Sequence, residues 1–387
     1  MEPIQLAAVL ATVVFVASVL SVELGVTVAL LELALGVVVG NALHLESAEW
    51  LDFVASFASI VLTFLAGMEV DPIFMRRRLG ASLGIGVISF LGPFLITAGV
   101  AAFLLDWGTR GALIAGTALS TTSLAVVYAV LVERGLTGTS IGKLLMSATF
   151  VTDLCTAVAL SAIFVKPNLW FPVFLAVSLA LVLVLPRVAP WFFGRYGNRV
   201  IEPEIKLVFL CLFVLMVLAD ASNGHAVLPA FVLGLVMSRH FASHREEQKR
   251  IRVVAFTFLT PFFFIKGGMN VSLAAVAANL GLLGVLLAAK MLPKLGLVYP
   301  LARRADRRHG TFTTLLMSTG LTFGTISSLY GLNAGIIDRT QFSLLVTVVV
   351  LSAVVPTVIA ERWFLPDAER ERRIDRRLAA ARSEEYV

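Results

Sequence analysis

Runs of about 20 apolar residues recur along the whole chain, separated only by short clusters of charged residues, Gly and Pro. Few folds are open to such a sequence. In hydrocarbon every backbone N–H and C=O must be satisfied within the protein, so only α-helices and closed β-barrels can cross a bilayer. Barrel strands need only about 10 residues, half the length of these runs. With 58% of its 387 residues hydrophobic and 14% charged, the chain also lacks the polar surface to cover a soluble fold of its size. The expectation is an all-α polytopic membrane protein.

Charge and turn clusters delimit spans near 6–22, 26–43, 50–68, 79–105, 110–132, 141–165, 169–193, 205–220, 225–239, 251–267, 272–301, 311–331 and 342–364. That makes about 13 transmembrane helices. The first run has neither a basic flank before it nor a small-residue cleavage site after it, so it is expected to stay in the membrane. Assigning the loops alternately to the two faces separates the basic residues sharply. Arg76 to Arg78, Arg134, Lys143, Arg187, Arg195, Arg199, the cluster from Arg239 to Arg252, Arg303 to Arg308 and the C-terminal tail share one face, against Arg110, Lys166 and Arg339 on the other. The positive-inside rule then places the N-terminus outside and the C-terminus in the cytoplasm of a cell (inner) membrane. The net charge of +6 reads as topology and anionic-lipid contact, not as a nucleic-acid surface. Cys155 and Cys211 fall within spans without metal-ligand spacing and read as small core residues, while His44, His225, His240, His244 and His309 lie at loops or span ends and read as solvated.

One residue breaks the apolar pattern most sharply. Asp153 lies inside the sixth span, and its nearest charged neighbours along the chain are Lys143 and Lys166. An ionised Asp at the bilayer centre costs roughly 3 kcal/mol even on lenient insertion scales, so an intramembrane acid points first to an ion or proton site. Glu32 is also intramembrane, with gating, structural and direct roles all open. Glu69 and Asp71, close to Arg76 to Arg78, read as ordinary ion pairing at the cytoplasmic boundary.

Two polar, helix-weakening segments occupy matching places in the two halves: Gly116 to Ser123 in the fifth span and Ser318 to Ser328 in the twelfth. Gly lowers helix propensity, and Ser and Thr hydroxyls compete for backbone partners, so both helices are expected to be interrupted. Small-residue packing faces would be the plainer explanation; the midmembrane Asp one helix later favours interruption. Six spans before and six after a linking helix place the halves in opposite orientation. The domain reading is a transmembrane region over 1–365, comprising a first repeat (1–165), a linker helix (166–200) and an inverted second repeat (201–365), with a short cytoplasmic tail at 366–387. Inverted repeats with paired broken helices are the layout of secondary transporters.

Three stretches carry a family resemblance. Phe64 to Asp71, Ala118 to Ser123 and Pro261 to Met269 resemble signature segments of the monovalent cation:proton antiporter-2 family, the Kef- and NapA-like exchangers, and the similarity runs along nearly the whole chain. The resemblance implies an NhaA-like fold with crossed broken helices, a mobile bundle carrying the ion site, a dimerisation bundle and a homodimer. It implies exchange of a monovalent cation, Na⁺ favoured and K⁺ open, for protons, with no organic cofactor and no enzymatic chemistry. In the family the site acid usually follows Asp, Asn or Gln; here Thr152 stands in that place, which leaves electroneutral and electrogenic exchange both open. A lysine on the eleventh span compensates charge at the crossing in the family, and Lys290 and Lys294, four apart, share a helix face.

The expected ion site is thus the Asp153 carboxylate, with Thr152, Thr121 and Thr122 as hard oxygen ligands suited to an alkali cation. Lys290 and Lys294 are the compensating candidates, and Glu32, Lys266, Ser123 and Thr322 are accessory candidates. A proton or a cation would neutralise Asp153, and only the neutralised site would cross. Many Kef-type relatives continue into a nucleotide-binding domain. No Gly-rich phosphate loop occurs in this sequence, so ligand gating would need a separate regulatory subunit. A sodium-coupled organic-solute symporter is the alternative with similar architecture. An intramembrane hydrolase would need a catalytic partner that Asp153 lacks in the sequence.

Overall fold

A computed structural model describes residues 3–24, 28–43, 48–68, 79–164, 168–197, 199–222, 224, 226–243 and 245–374. Glu69, Asp71, Arg76 to Arg78, Lys166, His44, His225 and His244 lie outside these residues. The described residues form α-helices and short π-helical turns. In chain order they are α1 (Pro3–Leu24), α2 (Val28–Ala42), α3 (Glu49–Met68), α4 (Leu79–Gly99), α5 (Gly108–Ser120), α6 (Leu124–Glu133), α7 (Ser140–Phe164), α8 (Phe171–Tyr196) and α9 (Pro203–Ala221). They continue with α10 (Val227–Ser243), α11 (Arg245–Val254), α12 (Thr260–Met269), α13 (Leu273–Ala278), α14 (Leu280–Pro293), α15 (Tyr299–Ala305), α16 (Gly310–Met317), α17 (Thr322–Asn333) and α18 (Arg339–Trp363). π turns extend α4 (Val100–Leu104) and join α11 to α12 (Ala255–Leu259) and α14 to α15 (Lys294–Val298). Among the described residues, eight helices are long and apolar enough to cross a membrane. Val28–Ala42 and Val227–Phe241 form shorter apolar helices.

The helices gather into two compact units, each drawing on both halves of the sequence. One comprises Met1–Pro72 and Ala157–Ala275; the other comprises Ile73–Thr156 and Val276–Val387. The first unit is organised by two tight helix crossings. At the α2–α12 crossing, a Cβ on Gly36 would lie 2.3 Å from the Ile265 carbonyl oxygen, and one on Gly268 2.1 Å from that of Leu33. At the α3–α10 crossing, a Cβ on Gly67 would lie 2.2 Å from the Phe231 carbonyl oxygen, and one on Gly234 2.1 Å from that of Phe64. Membrane helices associate through van der Waals contact because lipid offers no hydrophobic drive between them, so reciprocal glycines that let backbones touch are the main adhesive here. Phe57 and Phe213 add a stacked pair between α3 and α9, their ring centroids 3.9 Å apart.

The second unit has its own apolar core. Ile85, Val127, Leu131, Leu145, Phe312, Leu316 and Ala360 are among the buried residues that lock α4, α6, α7, α16 and α18 together. α18 begins with a reciprocal cap in which Asp338 accepts from the Gln341 backbone N–H at 2.7 Å and Gln341 Oε1 accepts from the Asp338 N–H at 2.9 Å. Such a cap fixes where this long helix starts.

Two histidines depart from the solvated reading. His240 is largely buried with Nε2 3.1 Å from Glu247 Oε2, and His309 Nδ1 lies 2.9 Å from Asp306 Oδ2. The partner of His240 comes from the next helix, seven residues on, and that of His309 from three residues before it, neither of which loop position alone reveals. Cys211 is buried and Cys155 half-buried, both unpaired as thiols. Because backbone atoms abut at the reciprocal glycines, Gly234→Val is expected to destabilise the protein by about 1–3 kcal/mol. A drop of several degrees in the detergent-solubilised melting temperature would show it, whereas Gly284→Val, with open space around its Cα, should melt like the parent.

Candidate functional site

Both polar segments are breaks in helices, and their own side chains make them so. α5 stops at Ser120, and Thr121 turns to extended backbone at φ −65°, ψ 155°. Ser120 and Thr121 hydroxyls donate to the carbonyls of Thr117 (3.0 Å) and Ala118 (3.1 Å), serving last-turn acceptors that an uninterrupted helix would fill with backbone N–H. Ser123 Oγ then accepts from the Val126 N–H at 3.4 Å as α6 begins. The second break repeats the device. Ser318 and Thr319 hydroxyls donate to Thr314 (2.8 Å) and Leu316 (2.7 Å) carbonyls, and α17 does not begin until Thr322.

The two breaks meet. The Ser123 N–H donates to the Thr319 carbonyl at 3.2 Å, and the Thr122 hydroxyl donates to the Met317 carbonyl at 2.9 Å. Where they meet, two helix C-termini present carbonyls to the same point, each carrying roughly half a negative charge from its helix dipole. Lys294 occupies that point. Its ammonium, fully buried, lies 2.9 Å from the Thr121 carbonyl, 2.8 Å from the Met317 carbonyl, 2.9 Å from Thr122 Oγ1 and 3.1 Å from Ser89 Oγ. Lys294 opens the π turn that follows Pro293, a local widening of the helix of the kind often found at functional sites.

Asp153 is 1% exposed, and its Oδ1 has no hydrogen-bond partner among the described residues. It lies close enough to Lys294 for the two charges to act on each other. Its helix face is set by its neighbours. Thr149, one turn earlier on the same face, has its hydroxyl 3.5 Å from Met317 Sδ, so that face of α7 looks toward the end of α16. Thr152 points elsewhere: its hydroxyl donates to the carbonyls of Gly86 (3.2 Å) and Ala148 (3.1 Å), and a Cβ on Gly86 would lie 2.6 Å from the Ala148 carbonyl oxygen. Thr152 therefore ties α7 to α4, and its donor is spent on that contact.

The two lysines differ in their surroundings. Lys294 takes up the break carbonyls, whereas Lys290, also fully buried, has no hydrogen-bond partner for Nζ among the described residues. Lys290 reaches the second break, because a Cβ on Gly320 would fall 2.3 Å from its Nζ, so any other residue there would push the ammonium aside. Ser123 belongs to the crossing; Thr322 opens α17 and is only half-buried. Lys266 and Glu32 belong to the other unit. Lys266 Nζ pairs with Asp52 Oδ1 at 2.7 Å, and Glu32 is 1% exposed with Oε2 unpartnered. Ser89, Thr149 and the Met317 carbonyl join the site without having been singled out from the sequence. A backbone carbonyl has no sequence signature, and Ser89 is one of three small polar residues, with Ser82 and Thr97, in the helix 79–99, so nothing in the sequence sets it apart.

Two interrupted helices that meet at buried charges, in a chain of repeated apolar helices, define a secondary-transporter architecture. The profile of the family described as "Sodium/hydrogen exchanger, transmembrane" matches residues 8–364. The chain belongs to that family of monovalent cation:proton antiporters, which are transporters and not enzymes. It is 25% identical over 358 residues to a probable Na⁺/H⁺ antiporter of Methanocaldococcus jannaschii, covering 87% of this chain and 90% of that protein. A cation/H⁺ antiporter of Arabidopsis thaliana is 26% identical over 345 residues; the match covers 83% of this chain but 42% of the plant protein. Among solved structures, that of a sodium proton antiporter from M. jannaschii superposes with a TM-score of 0.69 at 14% identity, covering 93% of this chain and 97% of that one, which establishes a shared fold.

Removing the Lys294 ammonium takes away a donor from the buried Thr121 carbonyl and leaves the Met317 carbonyl with hydroxyl donors such as Thr122. Lys294→Met is expected to cost about 3–5 kcal/mol, the penalty for leaving one side of a buried charged contact uncompensated. Thermal unfolding of the purified protein measures it, and Ser89→Ala, which removes one of four acceptors, should cost no more than about 1.5 kcal/mol.

Proposed function

We propose that this protein exchanges Na⁺ for protons by alternating access, the two ions competing for the Asp153 carboxylate. One observation carries the reading: a buried carboxylate with an unpartnered oxygen beside a lysine that has already neutralised the helix ends. With the break carbonyls held by Lys294, Asp153 is left free to take a proton or a cation. Either neutralises it, and a neutral site can cross a low-dielectric barrier that an isolated charge cannot. The Thr121 and Thr122 oxygens beside Lys294 supply hard ligands for an alkali ion, and Thr152 serves to position Asp153. Similarity to the probable Na⁺/H⁺ antiporter of M. jannaschii favours Na⁺, and similarity to the plant cation/H⁺ antiporter keeps K⁺ open. Family membership argues against the solute-symporter alternative.

Lys294 is the fixed charge in this reading, giving one proton for one cation and electroneutral exchange. Lys290 is the group whose release of a proton would make exchange electrogenic.

The reading extends to about 13 spans in two inverted repeats, 1–165 and 201–365, joined by the helix in 166–200. The paired crossings support it. A two-fold that exchanges α2 with α10 and α3 with the α11–α12 helix maps the Gly36–Gly268 contact onto Gly234–Gly67. In the second unit, exchanging α4 with α14 in the same chain order pairs Pro93 and the π turn after α4 with Pro293 and the π turn after α14. Contacts at one end of the second unit support a cytoplasmic C-terminus: Arg134 with Glu361 at 3.2 Å, and Arg372 with the Gly135 carbonyl at 2.6 Å, bring together stretches that the positive-inside rule puts on that face. The proposal includes an inner-membrane homodimer in contact with anionic lipid.

Proteoliposomes with an imposed pH gradient test the function. Na⁺-driven proton efflux is expected from the parent and a loss of at least about 100-fold from Asp153→Asn, equivalent to roughly 2.7 kcal/mol or more. Undiminished exchange in Asp153→Asn would overturn the proposal. Insensitivity of the rate to a clamped membrane potential is the expected sign of one-for-one exchange; rates that follow the potential would assign a titrating role to Lys290.

A further inference from the structure

A second set of titratable groups lies far along the sequence from the ion site, at the start of one of its broken helices. His309 is the residue from which α16 departs, its carbonyl accepting the Thr313 N–H at 2.9 Å. Eight residues further on, the Met317 carbonyl holds Lys294. The His309 ring is 14% exposed and lies between two carboxylates: Nδ1 is 2.9 Å from Asp306 Oδ2, and Nε2 is 3.6 Å from Glu371 Oε1. Asp306 is itself held by the Arg308 N–H at 2.9 Å.

Glu371 comes from a helix beyond the last span, over 368–374. Asp367 caps that helix, accepting the Glu369 N–H at 2.9 Å and the Arg370 N–H at 3.1 Å. Ala368 packs on the apolar core of the second unit, and Arg372 donates to the Gly135 carbonyl. Among the described residues the contacts that dock the helix include an apolar one, a neutral acceptor and a histidine. Only the histidine titrates near neutral pH.

We infer that His309 and Glu371 form a proton-operated latch that docks the 368–374 helix against the entry to α16 and restrains the half-helix that grips Lys294. This rests on the exchanger reading for its consequence, though not for its geometry. The groups facing His309 are Asp306 and Arg308 on its own loop and Glu371 on the docked helix; nearby, Arg372 is committed to Gly135 and Arg134 to Glu361. The hydrogen bond to Asp306 raises the His309 pKa above its usual 6.5, burial opposes it, and the charges of Asp306 and then Glu371 add to the rise against Arg308; of these, the Glu371 charge is the one that docking brings. The hydrogen bond from His309 likewise lowers the Asp306 pKa.

The sign follows. A raised histidine pKa contributes stability that is fully present below the undocked value and is lost as pH climbs through the docked one. The Asp306 contribution is lost only in strong acid, as pH falls through its lowered value. The latch therefore holds fully below about pH 6.5, the ordinary histidine value, and loosens as pH rises above it. An exchanger that admits protons would then be restrained when the cytoplasm is already acidic.

Hydrogen exchange on the full chain in detergent, from pH 6 to 9, reads the latch without reference to transport. Backbone protection of 368–374, corrected for intrinsic rates, is expected to fall with rising pH in the parent, by about tenfold for each unit by which docking raises the His309 pKa. His309→Gln and Glu371→Gln should abolish that pH dependence, and His309→Lys, charged throughout, should keep the helix protected to pH 9. In proteoliposomes the activation profiles of His309→Gln and Glu371→Gln should move to lower pH with the maximal rate retained. Protection that is independent of pH in the parent, or profiles superimposable among parent and variants, would overturn the latch. Absence of Asp153-dependent exchange in the parent would instead overturn the exchanger reading and leave the protection result to decide the latch.

Discussion

The ammonium of Lys294, seated on the carbonyl ends of two broken helices, is the interaction on which the second unit depends. Unsatisfied backbone at membrane depth is tolerated only where protein or water supplies partners. Here the breaks need a cation to exist, and the lysine needs the breaks to be buried. Each is costly alone, and together they offset one another in the manner of a buried charge given good hydrogen-bond geometry.

Asp153 takes its character from that pairing. With the negative helix ends already held by a protein cation, a carboxylate beside them is relieved of a structural duty and is left with an unsatisfied oxygen. Polar groups left unpartnered inside proteins are often functional, because stability alone would remove them. The first unit spends its special residues differently: its reciprocal glycines bring backbones into contact, and Lys266 is paired with Asp52.

Much of the site was legible because its chemistry is unusual for its surroundings. Asp153, Lys290 and Lys294 stand out as charges among apolar residues, and Thr121, Thr122 and Ser123 as a polar run where a helix should continue. The roles of the lysines were not legible, since residues four apart look equivalent on a helical wheel. A π turn and the course of α16 decide that Lys294 meets the carbonyls and Lys290 meets Gly320. Thr152 shows what adjacency in sequence does not fix. Adjacent to Asp153 in sequence, it points about 100° around the helix from it, toward Gly86. His309 looked solvated because its second carboxylate, Glu371, is 62 positions away in the chain.

By itself the sequence determined the solvent, the helical class and the places where helices break, because those follow from local properties: hydrocarbon admits only segments that satisfy their own backbone, and Ser and Thr hydroxyls divert it wherever they cluster. Tertiary structure alone decided which carbonyls face which ammonium, which glycines let helices touch and which histidine is shielded. Those depend on distances between residues remote in the chain, and no local pattern encodes them.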